Sequence, residues 1–81
     1  MSWYVYLIEC RGGSIYTGIA VDVAARYAAH AAGKGARYTR MKKPVRLLGF
    51  RQCGSRSAAL KAEIALKRLQ KPQKLIAIAN I

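Results

Sequence analysis

Two adjacent glycines, Gly12 and Gly13, separate a run of aromatic and β-branched residues, Trp3 to Cys10, from a second such run, Ile15 to Ile19. Paired glycines supply the positive φ angles that a tight hairpin turn needs, so Arg11-Gly12-Gly13-Ser14 reads as the turn joining two antiparallel strands. A lone hairpin is marginal in water, so the remaining residues must supply a further strand and helices to cover it. Asp22 is a good N-cap for a helix from Val23 to about Ala32, closed by Gly33. Val23, Ala24, Tyr27, Ala28 and Ala31 recur at helical spacing and are expected to form its buried face. Gly33 to Arg40 shows no periodicity and reads as a basic, glycine-jointed loop, and Pro44 precedes a third strand over Val45 to Gln52. Ser55 or Ser57 caps a second helix, about Ser57 to Leu69, and Pro72 suits the first turn of a short last helix reaching Ala79.

That order, β-β-α-β-α-α, describes an α+β fold: a three-stranded antiparallel sheet with flanking helices. Eighty-one residues suffice for one domain with a modest core. No apolar run approaches the roughly 20 residues of a membrane-spanning helix, so no membrane partner is expected. The opening residues, Met1 to Tyr4, carry no basic leader, and a cytoplasmic location is expected. Cys10 and Cys53 are isolated in apolar surroundings and are read as free thiols and not as a disulfide.

Charge is distributed unevenly. The chain has fifteen Lys and Arg against three acids, a net +12. Up to Gly33, Arg11 and Arg26 balance Glu9 and Asp22; the other thirteen bases lie between Lys34 and Lys74, with Glu63 as their only acid. Such a field suits a polyanion, and nucleic acid is the commonest. Lys34, Arg37, Tyr38, Arg40, Lys42 and Lys43 combine cations with one stackable aromatic ring, which fits single-stranded or distorted DNA, although the same cations suit duplex phosphates. No element resembles a major-groove reader.

Several side chains have the types that chemistry requires. Tyr4, Tyr6 and Ile8 share one strand face, Tyr16 and Gly18 another, and a two-residue turn at Gly12-Gly13 would set Tyr6 and Tyr16 near one another. Packing is the ordinary use of such tyrosines. Arg26 and His30, four apart, stack on one side of the first helix at the rim of its apolar stripe. Glu63 lies about 40° from the Ala59/Leu66 edge of its helix. It either pairs with Lys67, worth roughly 0.3–0.5 kcal/mol, or binds a ligand; the residues alone favour the pair.

Taken in order, Tyr4-Val5-Tyr6, Tyr16-Thr17-Gly18, Arg26, His30, Gly33-Lys34-Gly35 and Glu63 resemble the GIY-YIG nuclease superfamily, in particular its small stand-alone bacterial group. The plan is similar to the N-terminal catalytic domain of the incision subunit of bacterial excision repair. The resemblance runs from about Trp3 to Leu69. It implies a metal-dependent endonuclease cutting DNA phosphodiesters, with single-stranded or branched DNA favoured; a non-cleaving binding module or an RNA-directed domain are the alternatives. It implies Tyr6 as a residue orienting water or phosphate, Tyr16 as general base, Arg26 as phosphate clamp, His30 as proton acceptor or relay, and Glu63 as ligand to one Mg²⁺ or Mn²⁺ ion. Gly18 would admit the phosphate, and the nearby metal and cations would have to depress the Tyr16 phenol, a poor base at its usual pKa of about 10. Ile19 stands where many relatives carry a lysine, and Asn80, the only asparagine, is not assigned the family's asparagine role.

Overall fold

The computed structural model describes residues 2–79. In order the elements are β1 (Trp3–Cys10), β2 (Ile15–Ala20), α1 (Val23–Ala31), α2 (Arg37–Met41), β3 (Pro44–Cys53), α3 (Arg56–Lys67) and α4 (Lys71–Ala79). The three strands form one antiparallel sheet in the order β2-β1-β3, so β1 is central and β2 is an edge strand. The expected α+β architecture is present, with one added helix.

The hairpin differs from expectation by one residue. Cys10 N–H donates to Ser14 C=O at 2.8 Å, leaving Arg11, Gly12 and Gly13 as the loop, with φ of 90° and 87° at the two glycines. In this register Tyr6 lies opposite Gly18 and Ile8 opposite Tyr16. A two-residue turn would have paired Glu9 with Tyr16 and sent the second tyrosine to the opposite face from Tyr6. A single-residue slip reverses every side chain of a strand, so the third loop residue decides that the tyrosines meet.

The alternation of β1 builds a core on each face. Val5 and Leu7 pack with Leu66 of α3 and Ile78 of α4; Tyr6, Ile8 and Cys10 pack with Ala20, with Val23 and Tyr27 of α1 against them. Val5, Leu7 and Ile8 are fully buried, each worth roughly 1.5–3 kcal/mol. Cys10 and Cys53 are both free thiols. They sit at opposite ends of β1, whose Trp3 faces Cys53 while Cys10 faces Pro44. Seven residues at ~3.3 Å each separate them, beyond disulfide reach.

Both long helices begin on the expected caps. Asp22 Oδ1 accepts from Ala25 N–H at 3.0 Å, and Ser55 Oγ from Ala58 N–H at 3.1 Å. Helix α1 closes through Gly33, φ 78°, whose N–H reaches His30 C=O while Lys34 N–H reaches Ala29 C=O. Its buried side is not the alanine stripe: Ala24, Ala28 and Ala31 are exposed, while Val23 and Tyr27 are half-buried and His30 is fully buried. The alanines offer too little apolar area to compete with those larger side chains. The stretch read as an unstructured loop contains α2, a five-residue helix without a side-chain cap. In α4, Ile78 is buried against the sheet while Ile76 is exposed; Asn80 and Ile81 lie outside the described residues. No helix among the described residues is long and apolar enough to cross a membrane.

Candidate functional site

The site grows from the hairpin. Tyr6 and Tyr16 are diagonal neighbours on one face, their ring centroids 6.4 Å apart. Between them lies Gly18. A Cβ there would stand 2.5 Å from the Tyr6 hydroxyl oxygen, 2.6 Å from its Cζ and 3.0 Å from Cε2 of Tyr16. The room that a glycine provides at this position is therefore taken by the two phenols. This corrects the expectation that it admits a phosphate, and Gly18 itself is buried.

Below the phenols runs a buried chain of hydrogen bonds whose polarity can be read from one end. Thr39 donates its hydroxyl to Ala36 C=O at 2.8 Å. Its oxygen must then accept at its other contact, 2.7 Å from His30 Nδ1, so Nδ1 carries the proton. That leaves Nε2 of a neutral imidazole as an acceptor, and the Tyr6 hydroxyl, 2.9 Å away, donates to it. Burial, with Arg26 second, holds the His30 pKa below its ordinary value of 6.5, consistent with the neutral ring. Histidine here is a fixed acceptor that aligns Tyr6. With both nitrogens engaged and no exposed surface, it is not the free proton relay expected from its ordinary pKa. The position of Gly35 completes the cradle, because a Cβ there would collide with the imidazole.

Charges flank the phenols from two sides. Burial pushes Tyr6 up to about 12, helped by Tyr16 and Glu63 and opposed by a hydrogen bond to and the charge of Arg26. Burial likewise raises Tyr16 above 10.0; Arg26 pulls it down, while Glu63 and Cys10 push it up. The protein groups alone thus raise the Tyr16 phenol, because burial and a carboxylate outweigh one guanidinium. Arg26 on α1 and Glu63 on α3 are the charges common to both phenols. Arg26 is exposed and has no carboxylate partner among the described residues, whereas Glu63, its side chain 19% exposed, lies 3.7 Å from Lys67. The expected i,i+4 pair therefore forms, at the long end of the ion-pair range.

The donor set bears on which metal could sit here. Among the described residues no three His, Cys, Asp or Glu side chains cluster as a metal cage, and Glu63 is the acid beside the phenols. One hard carboxylate oxygen suits a hydrated Mg²⁺ or Mn²⁺ that takes its other ligands from water and phosphate. Zinc would require further nitrogen or sulfur donors.

Comparison with known proteins gives the family. The GIY-YIG catalytic domain family matches residues 2–76. This chain belongs to the GIY-YIG family. It is 58% identical over 79 residues to a UPF0213 protein of Cupriavidus pinatubonensis, spanning 98% of this chain and 88% of the relative. A UPF0213 protein of Xanthomonas axonopodis pv. citri is 48% identical over 73 residues, 90% of this chain and 72% of that one. The solution structure of a UPF0213 protein from Bacillus halodurans superposes with a TM-score of 0.58 at 40% identity, covering 98% of this chain and 84% of the other. The GIY-YIG family is a nuclease family.

Within this GIY-YIG domain the motif departures have physical homes. Tyr4, the first residue of the opening tripeptide, packs edge-on against Phe50 with centroids 5.9 Å apart. Ile19 is turned by strand alternation to the Val5/Leu7 side, away from Tyr16 and Gly18. Lys34, Arg37, Arg40, Lys42 and Lys43 are all exposed, and Tyr38, 39% exposed, lies against Tyr16 at 5.9 Å with Lys42 Nζ over its ring at 5.7 Å. Sequence reasoning missed Thr39, and it gave Gly35 a place in the motif without a role. Thr39 is the one small hydroxyl between Lys34 and Lys43, a signal that acquires meaning only once α2 folds it under His30.

Proposed function

We propose that this domain is a metal-dependent endonuclease that hydrolyses DNA phosphodiester bonds, with single-stranded or branched DNA preferred over plain duplex. The observation that supports this most is that the fields of Arg26 and Glu63 both reach the paired phenols of Tyr6 and Tyr16. The attacking water forms a bond to phosphorus as the P–O3′ bond breaks, and the 3′-oxygen leaves as an alkoxide that takes a proton from solvent. Tyr6 spends its own proton on His30, so its oxygen only accepts. It holds one hydrogen of the water and cannot donate to the phosphate. Tyr16, as its phenolate, takes the other hydrogen as general base and becomes the neutral phenol, and this transfer directs a lone pair of the water at phosphorus. Arg26, free of a carboxylate partner among the described residues, clamps the non-bridging oxygens with its planar fork. A divalent ion held by Glu63 and waters would supply positive charge beside the phosphate and the leaving oxygen, and would offset the carboxylate that raises Tyr16. The exposed cations from Lys34 to Lys43 bind the flanking phosphates.

Labelled single-stranded, flap, duplex and RNA oligonucleotides incubated with Mg²⁺, Mn²⁺ or EDTA test the proposal. Wild type is expected to cut single-stranded or flap DNA only with metal, and Glu63→Ala to bind without cutting. The Glu63–Lys67 pair favours one second reading, a binding module with its carboxylate already satisfied. Absence of cleavage by wild type, or equal cleavage by Glu63→Ala, would establish that reading instead.

A further inference from the structure

The edge position of β2 has a consequence for what lies beside Tyr16. Since β2 is paired on one side only, its outer margin is reachable from both sheet faces. At its start this margin borders a cavity of about 280 Å³ lined by Ile15, Tyr16, Thr17, Tyr38, Lys67 and Lys74, at the small end of the range for ligand sites. Tyr16 and Tyr38 supply aromatic walls. Lys67 and Lys74, from α3 and α4, supply positive charge. Thr17, 2% exposed, contributes a buried hydroxyl with no hydrogen-bond partner among the described residues. That oxygen is also shut off from the cavity, so the accessible lining is aromatic and cationic and favours a ligand with a flat face and negative charge.

We propose that this cavity is a subsite for one unpaired nucleobase of single-stranded DNA, the base adjoining the phosphate held at Tyr16. The base stacks on the exposed ring of Tyr38, and the next phosphate lies by Lys67 and Lys74. A base inside a duplex has its faces stacked and its edge paired, so it enters only after being unpaired and turned out. Aromatic platforms flanked by cations are how proteins hold single strands, because every base has a face to stack while the cations track the backbone. The single-strand preference then arises at this cavity. The inference takes its scissile phosphate from the endonuclease reading, but docking is measurable without cleavage.

The test uses a single-stranded DNA oligonucleotide carrying 2-aminopurine, whose fluorescence is quenched by stacking, titrated with the full chain in EDTA. Wild type is expected to quench it on binding, and the same sequence as a duplex to bind without quenching. Tyr38→Leu keeps apolar bulk but removes the platform, and should abolish the quench and weaken single-strand binding about tenfold; Tyr38→Phe should retain both. Full-affinity binding by wild type without quenching, or unchanged quench and affinity in Tyr38→Leu, overturns the subsite. If either result accompanies metal-dependent cutting, the endonuclease reading stands alone; quenching by a wild type that cuts nothing supports the subsite and rejects the endonuclease.

Discussion

Replacing Thr39 with valine keeps the shape of the side chain and removes the oxygen between His30 and Ala36. In the folded protein that oxygen accepts from His30 Nδ1–H at 2.7 Å and donates to Ala36 C=O at 2.8 Å. His30 is inaccessible to water, so its abandoned Nδ1–H cannot be rescued by solvent, whereas Ala36 is only half-buried. A buried donor left unsatisfied costs about 1–3 kcal/mol, against roughly 4–12 kcal/mol of total stability for a domain of this size. At about 4–8 °C per kcal/mol, the melting temperature should fall by roughly 4–24 °C. His30 can limit the loss by moving its proton to Nε2, but it then faces the Tyr6 hydroxyl as a donor, and Tyr6 loses its acceptor. ¹⁵N-detected NMR of the imidazole, combined with thermal melts, reads both effects. Wild type and Thr39→Ser should show the Nδ1–H form, with Thr39→Ser close in stability; Thr39→Val should be destabilised and lose that form. A wild-type imidazole protonated on Nε2, or a Thr39→Val variant melting with wild type, would refute the assigned polarity.

Other consequences follow from the same geometry. Gly18→Ala forces a methyl into the phenols and should cost about 1–3 kcal/mol in chemical denaturation; an unchanged midpoint would contradict the packing. His30 titrates below 6.5 when folded, so the unfolded chain takes up its proton first. Stability is then full above about 6.5 and declines as pH falls below it, and urea midpoints equal at pH 7.5 and pH 5 would count against the buried neutral ring. For Tyr6, raised to about 12 from 10.0, stability is full below about 10 and is lost as pH climbs toward 12, by an amount on the order of 3 kcal/mol; melts over that interval check it. Tyr16 is also raised, so if it is the base, cleavage should climb about tenfold per pH unit from neutrality toward its pKa; a flat profile from pH 7 to 9 removes it from that role.

The parts of the fold that local chemistry governs were legible in the sequence. Asp22 and Ser55 cap their helices and Gly33 terminates α1 as their residue types demand. The length of the hairpin loop was not, because the bond from Cys10 to Ser14 sets it, and paired glycines suit a two-residue turn as well. Helix α2 was also hidden: five residues without a cap are too short to hold a helix by propensity, and Thr39 is fixed from outside the segment, by His30. The same reason explains the misread face of α1. His30 looks like a rim residue by spacing and is buried only because Tyr6 and Thr39 satisfy both its nitrogens. For the site, the pattern of Tyr6, Tyr16, Arg26 and Glu63 was readable through family resemblance. The use of Gly18 required the register, since a glycine's vacant space can be filled by protein or by ligand and sequence does not distinguish them.

Single-turnover cleavage of a labelled single-stranded substrate by Tyr16→Phe, Arg26→Ala, Glu63→Gln and the triple variant tests most directly whether these side chains act on one phosphate. Groups working as a unit lose their effect together, so the triple variant should be about as slow as the most impaired single variant. Losses that multiply across the three substitutions, or full activity in any single variant, would contradict a shared centre.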